Sequence, residues 1–326
     1  MSNDQKTSLN VSGRKVTVVG GGVIGASWAA IFVANGMRVT VNDPDPDVAK
    51  KVFSYCEEAK PSIRALGYAD FNINDISFES DLAKALEGAD YVQENGPERL
   101  DFKSDLWKRI ESEAPENALL LSSSSGIEAT KQSVGMKQPG RLLIGHPFNP
   151  PHLMPLVEVV PGEKTPRELT AGAIEFYEAI GKVALEIKVE VPGFVANRLQ
   201  SAIFRECVYL VKEGVVSVSD LDKVVTSSLG IRWATGGPFL SFHLGGGAGG
   251  FAHFIDHLAP GMASRWKGQM ATDVQFDEDT NKLLLTQIRE AYGNSSIPLL
   301  NAERDVKEVA VIKGLQGGID RLDGAV

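Results

Sequence analysis

Residues 16–37 contain no charged side chain, and the glycines within that stretch decide what it becomes. Val16-Thr-Val-Val19 has the apolar, β-branched character of a buried strand. Gly20, Gly22 and Gly25 then form a G-x-G-x-x-G, with Val23 and Ile24 opening an apolar helix that runs on through Trp28, Ile31, Phe32 and Val33. Length alone would allow a membrane span, but these glycines split the stretch into strand, tight turn and helix.

Strand, turn and helix in that order make a phosphate cradle. The first glycine forms the turn, the second lets a pyrophosphate approach the backbone, and the third lets helix and strand pack closely. The helix start presents unpaired N–H groups and a positive dipole end. A glycine turn can also be only a turn, so an acid at the end of the next strand is needed beside it. Arg38-Val-Thr-Val-Asn42 reads as that second strand, and Asp43 ends it where a carboxylate would accept the hydroxyls of a ribose; its plainer role is to cap the turn before Pro44. Asp43-Pro-Asp-Pro-Asp47 carries three acids and no arginine, which repels a 2′-phosphate and favours NAD over NADP.

Further strand-like runs, at Asp90–Gln93, Ala118–Leu121, Arg141–Ile144 and Leu156–Val160, alternate with helical stretches such as Asp45–Leu66, Asp101–Ser112 and Thr165–Ile180. Lys182–Val191 adds one or two more strands. This alternation predicts a doubly wound, mostly parallel sheet. After Pro192-Gly193 only helices are favoured, over Phe194–Glu213, Ser219–Ser228, Pro238–Leu244, Ala252–Leu258 and Asp279–Tyr292, with Ser219 as an N-cap. The expectation is an α/β domain over residues 1–192 and an all-α domain over 193–326.

Charge narrows the partners. With 33 Lys plus Arg against 42 Asp plus Glu, the net charge is −9 and no basic block appears, so nucleic acid is not expected. Cys56 and Cys207 are too few for a disulfide framework and lack metal-site spacing. The polar Met1–Lys6 carries no signal-peptide pattern and Asp323–Val326 no retention or lipid signal. A cytoplasmic protein without membrane contact is expected. His253 and His257 sit four apart without a third ligand at useful spacing, so no metal is expected. Gly245–Gly250 has no strand before it and reads as a connection between helices, and Cys207 reads as buried in an apolar helix.

Oxidising an alcohol requires a base for the hydroxyl proton while hydride leaves to the nicotinamide. His146, in Gly145-His-Pro-Phe-Asn-Pro-Pro151, ends a predicted strand at the carboxyl edge of the sheet, where such folds bind ligands. Glu158 lies inside the apolar run Leu156-Val-Glu-Val-Val160, so it either faces outward or has a partner. If it meets His146, it fixes the tautomer and stabilises the imidazolium. Spacing alone leaves a structural histidine equally open.

The glycine turn, Gly145–Pro151, the Leu-Val-Glu-Val strand and Pro192-Gly-Phe-Val-Ala-Asn-Arg198 together resemble the L-3-hydroxyacyl-CoA dehydrogenase family, over roughly residues 14–260. The resemblance implies an NAD-binding Rossmann domain, a helical domain that dimerises, and hydride transfer from carbon 3 of a 3-hydroxyacyl group. It also implies that His146 is the base and Glu158 its partner. Ser125, in Ser122-Ser-Ser-Ser-Gly126, matches the serine bonded to the reacting oxygen, and Asn197 the asparagine that completes the site. Glu98 and Lys103 match residues that contact the cofactor's ribose; their plainer role is a solvated helix start.

The departures point to one branch. Where acyl-CoA members carry Tyr-Pro-Met-Gly-Pro-Phe, this chain reads Leu229-Gly-Ile-Arg-Trp-Ala-Thr-Gly-Gly-Pro-Phe239. That form, with the serine run and Gln93–Arg99, is similar to the branch acting on free 3-hydroxy acids, such as L-gulonate, L-carnitine or a short 3-hydroxy acid. Arg232 would grip the acid's carboxylate in a charge-assisted fork, and Trp233 would either face a quaternary ammonium or fill core. Two alternatives stay open: a true 3-hydroxyacyl-CoA dehydrogenase, and a non-catalytic NAD-binding protein like the lens crystallin of that branch.

Overall fold

The structure is a computed structural model that describes residues 9–316. The terminal segments Met1–Lys6 and Asp323–Val326, read above for targeting signals, lie outside the described residues. The chain divides into two compact units, Met1–Asn197 and Arg198–Val326. No described helix is long and apolar enough to cross a membrane.

The first unit opens with β1 (Lys15–Val19), α1 (Val23–Ala34), β2 (Arg38–Asn42) and α2 (Val48–Ala65). It continues with β3 (Ile76–Phe78), α3 (Leu82–Leu86), β4 (Tyr91–Glu94), α4 (Leu100–Glu113), β5 (Leu119–Ser122) and α5 (Ala129–Gln132). It closes with β6 (Leu142–Pro147), β7 (Leu156–Pro161), α6 (Arg167–Ala179) and β8 (Val183–Glu186). The strands form one sheet in the order β3-β2-β1-β4-β5-β6-β7-β8. The first six pair in parallel, whereas β7 runs antiparallel to β6 and parallel to β8. The expected doubly wound, mostly parallel sheet is therefore present, and Lys182–Val191 supplies one strand.

Strand alternation feeds two cores. Val16, Val18, Leu121, Leu143, Val157 and Val159 pack under α1, α2 and α6, while Val92, Leu120, Leu142 and Ile144 pack against α3, α4 and α5. α1 is apolar on every side and nearly every residue of it is buried. Its Trp28 and Phe32 stack at 5.2 Å and meet Tyr177 and Phe176 of α6, and Phe176 stacks on Tyr91 of β4 at 3.9 Å. The charge-free stretch is thus the middle of the first unit's core.

The second unit is helical, as expected: α7 (Ala196–Lys212, which spans the dividing point), α8 (Val218–Thr226), α9 (Leu229–Gly245), α10 (Gly250–His257), α11 (Ala259–Met270), α12 (Glu278–Tyr292) and α13 (Ile297–Gln316). Gly237, at φ 65° and ψ 175°, breaks α9 just before Pro238, which is why the sequence reads as a helix from that proline onward. The N-cap of α8 is Ser217, not Ser219: the Ser217 side chain accepts the Asp220 N–H, two residues earlier than the expected cap. Arg205 of α7 donates to the carbonyls of Gln269 and Thr272, tying α7 to the end of α11.

Candidate active site

The cradle has the geometry its glycines require. Gly20 sits at φ 94°, a left-handed value open to glycine. A Cβ on Gly25 would lie 1.9 Å from the Gly20 carbonyl oxygen, so α1 can pack this close only with glycine there. A Cβ on Gly22 would meet nothing within 4 Å, leaving an open face beside the first N–H groups of α1 at Val23 and Ile24. Asp43 follows β2 and accepts the N–H of Gly21 at 2.8 Å and of Asp45 at 2.9 Å. Its carboxylate is half-buried and fixed beside the turn. These are the donors, space and acid that a dinucleotide needs.

His146 and Glu158 do meet. They are direct register partners across β6 and β7, and opposite residues of an antiparallel pair project to the same face. Nδ1 of His146 lies 2.8 Å from Oε2 of Glu158, with both side chains buried. An ionised carboxylate only accepts, so Nδ1 carries the proton and Nε2 is the basic nitrogen. Oε1 of Glu158 accepts the N–H groups of Val195 and Ala196 at 2.9 and 3.0 Å. Burial alone would raise this carboxyl's pKa; the bonds from His146, Ala196 and Val195 outweigh it and hold the group below its ordinary value. The rings of Phe148 and Phe194 each lie 5.5 Å from the imidazole.

Ser125 is exposed on the loop after β5, with its backbone held from two directions. Its N–H donates to Oε1 of Glu98 at 3.0 Å, and its carbonyl accepts from Nδ2 of Asn197 at 3.0 Å. The same Glu98 oxygen takes Ser124 Oγ–H at 2.6 Å and Gly126 N–H at 3.0 Å. Lys103 is not the solvated helix residue of the plainer reading. It is 1% exposed and bonds both carboxylate oxygens of Glu94 at 2.9 Å, with Glu98 Oε2 at 3.7 Å.

Sequence reasoning missed Glu94 and Gln93. Glu94 also accepts the Ser122 hydroxyl at 2.7 Å and the Gly96 N–H at 2.6 Å. Gln93 accepts from Tyr177 at 2.7 Å and donates to Ser123 at 2.9 Å. Their signal was available: two adjacent polar residues in a central parallel strand must each find a buried partner.

The second unit holds the other singled-out residues. Arg232 is exposed on α9. Trp233 lines a mainly apolar cavity of about 720 Å³ together with Phe242, Met262, Arg265, Trp266 and Cys207. Cys207 is half-buried rather than buried, because α7 presents it to this cavity; the fully buried thiol is Cys56. His253 and His257 stack at 4.0 Å, and among the described residues no group of three acids, histidines or cysteines has metal-site geometry. Gly247–Gly249 is a short 3-10 turn joining α9 to α10.

Residues 15–190 match the family model described as 3-hydroxyacyl-CoA dehydrogenase, NAD binding domain, and residues 193–284 match that for the C-terminal domain. The chain belongs to the 3-hydroxyacyl-CoA dehydrogenase family. It is an NAD-dependent dehydrogenase. Over 316 residues it is 40% identical to an L-carnitine dehydrogenase of Nocardiopsis dassonvillei, covering 96% of this chain and 94% of that one. It is 39% identical over 296 residues to a 3-hydroxyacyl-CoA dehydrogenase of Gibberella moniliformis, covering 90% and 92%. Among solved structures, 5-formyl-3-hydroxy-2-methylpyridine 4-carboxylic acid 5-dehydrogenase, an NAD+-dependent dismutase, is 28% identical with a TM-score of 0.78, covering 94% and 99%.

Proposed function

We propose that this enzyme oxidises the 3-hydroxyl of a free L-3-hydroxy acid to the 3-oxo acid, with L-carnitine as the foremost substrate. The observation that carries the reaction is the buried 2.8 Å contact between His146 Nδ1 and Glu158 Oε2, which leaves Nε2 as the base. His146 takes the hydroxyl proton, and Glu158 stabilises the resulting imidazolium. The Ser125 hydroxyl bonds the reacting oxygen, and Asn197 completes the site. NAD, when bound, supplies the acceptor for the hydride leaving carbon 3. Gly20, Gly22, Gly25 and the N–H groups of Val23 and Ile24 hold its pyrophosphate. Asp43 takes one ribose and Glu98 the other, with the enclosed Lys103 ammonium 3.7 Å behind Glu98 Oε2.

The free acid is supported by the relatives named L-carnitine dehydrogenase and by Arg232, whose exposed guanidinium suits a carboxylate. Trp233 is assigned to the trimethylammonium by cation–π attraction. The Gibberella relative favours a second reading, in which the substrate is a 3-hydroxyacyl-CoA thioester. Purified enzyme offered NAD with L-carnitine, L-gulonate, L-3-hydroxybutyrate or 3-hydroxybutyryl-CoA distinguishes them by NADH formation. Turnover of the free acids that disappears in His146→Ala is the expected result; activity on the thioester alone overturns it.

The domain division we propose lies at 192/193, between the two family matches. We further propose a cytoplasmic homodimer built on the helical unit. Among its described residues only Val208, Val211, Val218, Gly246, Gly250, Phe254 and Thr280 are buried. Phe239, Met270, Val306 and Ile297 are 78%, 75%, 71% and 70% exposed. So much uncovered apolar surface suits a second copy. Light scattering after size exclusion that gives the mass of one chain would sink this.

A further inference from the structure

We propose that Phe194 is a positioning residue for the His146–Glu158 pair, acting on both members from one left-handed turn. This role rests on the proposed dyad. Gly193 has φ 75° and Phe194 φ 47°, and Phe194 is the one non-glycine with positive φ among the described residues. Glycine takes that conformation freely, whereas the Cβ of a phenylalanine crowds its own backbone there. Such a residue persists only where its surroundings over-determine it.

They do so here through both backbone and side chain. The Phe194 N–H donates to the Val191 carbonyl at 3.0 Å. The ring is wholly buried in the core beside β5 and β6, and its centre lies 5.5 Å from that of the His146 imidazole at a tilt of 53°. The next two N–H groups, of Val195 and Ala196, both point at Glu158 Oε1. A turn that aims successive N–H groups to one side is a cradle for an anion, and the anion in this one is the Glu158 carboxylate. With Oε1 held, Oε2 is left for Nδ1 of His146. The backbone of Phe194 therefore fixes the carboxylate while its ring fixes the imidazole plane. A few residues further on, Asn197 reaches the Ser125 carbonyl from the same turn. Glycine at 194 would relieve the backbone but remove the ring, so the strained phenylalanine serves both ends.

Phe194→Leu keeps most of the apolar volume and tests this. Expected are a melting temperature and NADH affinity (by fluorescence titration) close to wild type, with kcat lowered about 10- to 100-fold. In a Glu158→Gln background the same change is expected to lower kcat less than about threefold, since the pair whose imidazole the ring holds is already broken. A kcat within about threefold of wild type for Phe194→Leu, or an equal loss in both backgrounds, overturns the proposal. If the leucine variant does not fold, Phe194→Met fills the site with a more adaptable side chain and is read by the same outcomes. Should Glu158→Gln itself leave kcat intact, the dyad reading fails. Should it abolish kcat while the Phe194 variants do not, only the role of Phe194 falls.

Discussion

The side-chain amide of Asn197 donates to the backbone carbonyl of Ser125 across 3.0 Å, although the two residues stand 72 positions apart. Ala196, one residue earlier, gives its N–H to Glu158. The first turn of α7 therefore braces the serine loop and the histidine's carboxylate together. Asn197→Ala is expected to lower kcat by about 10- to 100-fold through a displaced Ser125. The lost hydrogen bond costs only about 1 kcal/mol of stability. Steady-state kinetics beside a urea melt check both; an unchanged kcat removes Asn197 from the site.

Two glycines of the cradle are expected to fail in different ways. Gly25→Ala drives a Cβ to 1.9 Å from the Gly20 oxygen, backbone that cannot step aside, and is expected to cost about 1–3 kcal/mol of stability. Gly22→Ala meets nothing within 4 Å in the protein, so it should melt like the wild type while NAD binding weakens by about tenfold or more. Thermal melts and NADH titrations of the pair separate the two roles. A Gly22→Ala variant that binds NAD normally would take Gly22 out of the phosphate site.

The Glu94–Lys103 pair is fully enclosed, with exposures of 0% and 1%. Removing one partner strands the other charge, so Lys103→Met is expected to cost about 3–5 kcal/mol. The double variant Glu94→Gln/Lys103→Met strands neither and should recover most of that loss. Denaturant titrations decide; equal stability of single and double variants contradicts the argument.

Lys182 is buried against the carbonyls of Pro151 and Met154 and over the Trp28 ring, at 5.9 Å from its centre. Burial pushes its pKa from the ordinary 10.5 down to about 7. Between those two values the unfolded chain holds a proton that the folded chain has released, so this group makes stability rise as pH rises from about 7 towards 10.5. The slope is up to about 1.4 kcal/mol per pH unit. Relative to Lys182→Met, the wild type should gain stability between pH 7 and pH 9 in urea melts. A constant difference would show that the ammonium keeps its proton in the fold.

The strand–glycine–helix–acid series was legible because each part is local: a few adjacent residues fix their own turn and helix start. The helical second unit was legible for the same reason. The orientation of β7 was not, because a spacing of twelve positions from His146 to Glu158 does not say whether the chain reverses, and only the reversal makes them register partners. Lys103 was misread on its plainer side because an amphipathic pattern shows α4 has a buried face without showing that Glu94 waits beneath it. Ser217 outcompeted Ser219 because α8 starts two residues earlier than its apolar pattern suggests.

Ser27, one turn past the phosphate cradle on α1, shares its hydroxyl with the N–H of His152 at 2.8 Å and with Nδ1 of that ring at 2.9 Å. His152 belongs to the segment that leaves β6 just beyond His146. A designer changing cofactor preference thus has one safe handle and one hazardous one. Substitutions at Asp43 act from the end of β2 and reach the glycine turn through the Gly21 N–H, one step removed from the Ser27–His152 staple. Any change to the glycines that tilts α1 also drags on the segment that follows His146, so cofactor fit and turnover would drift together.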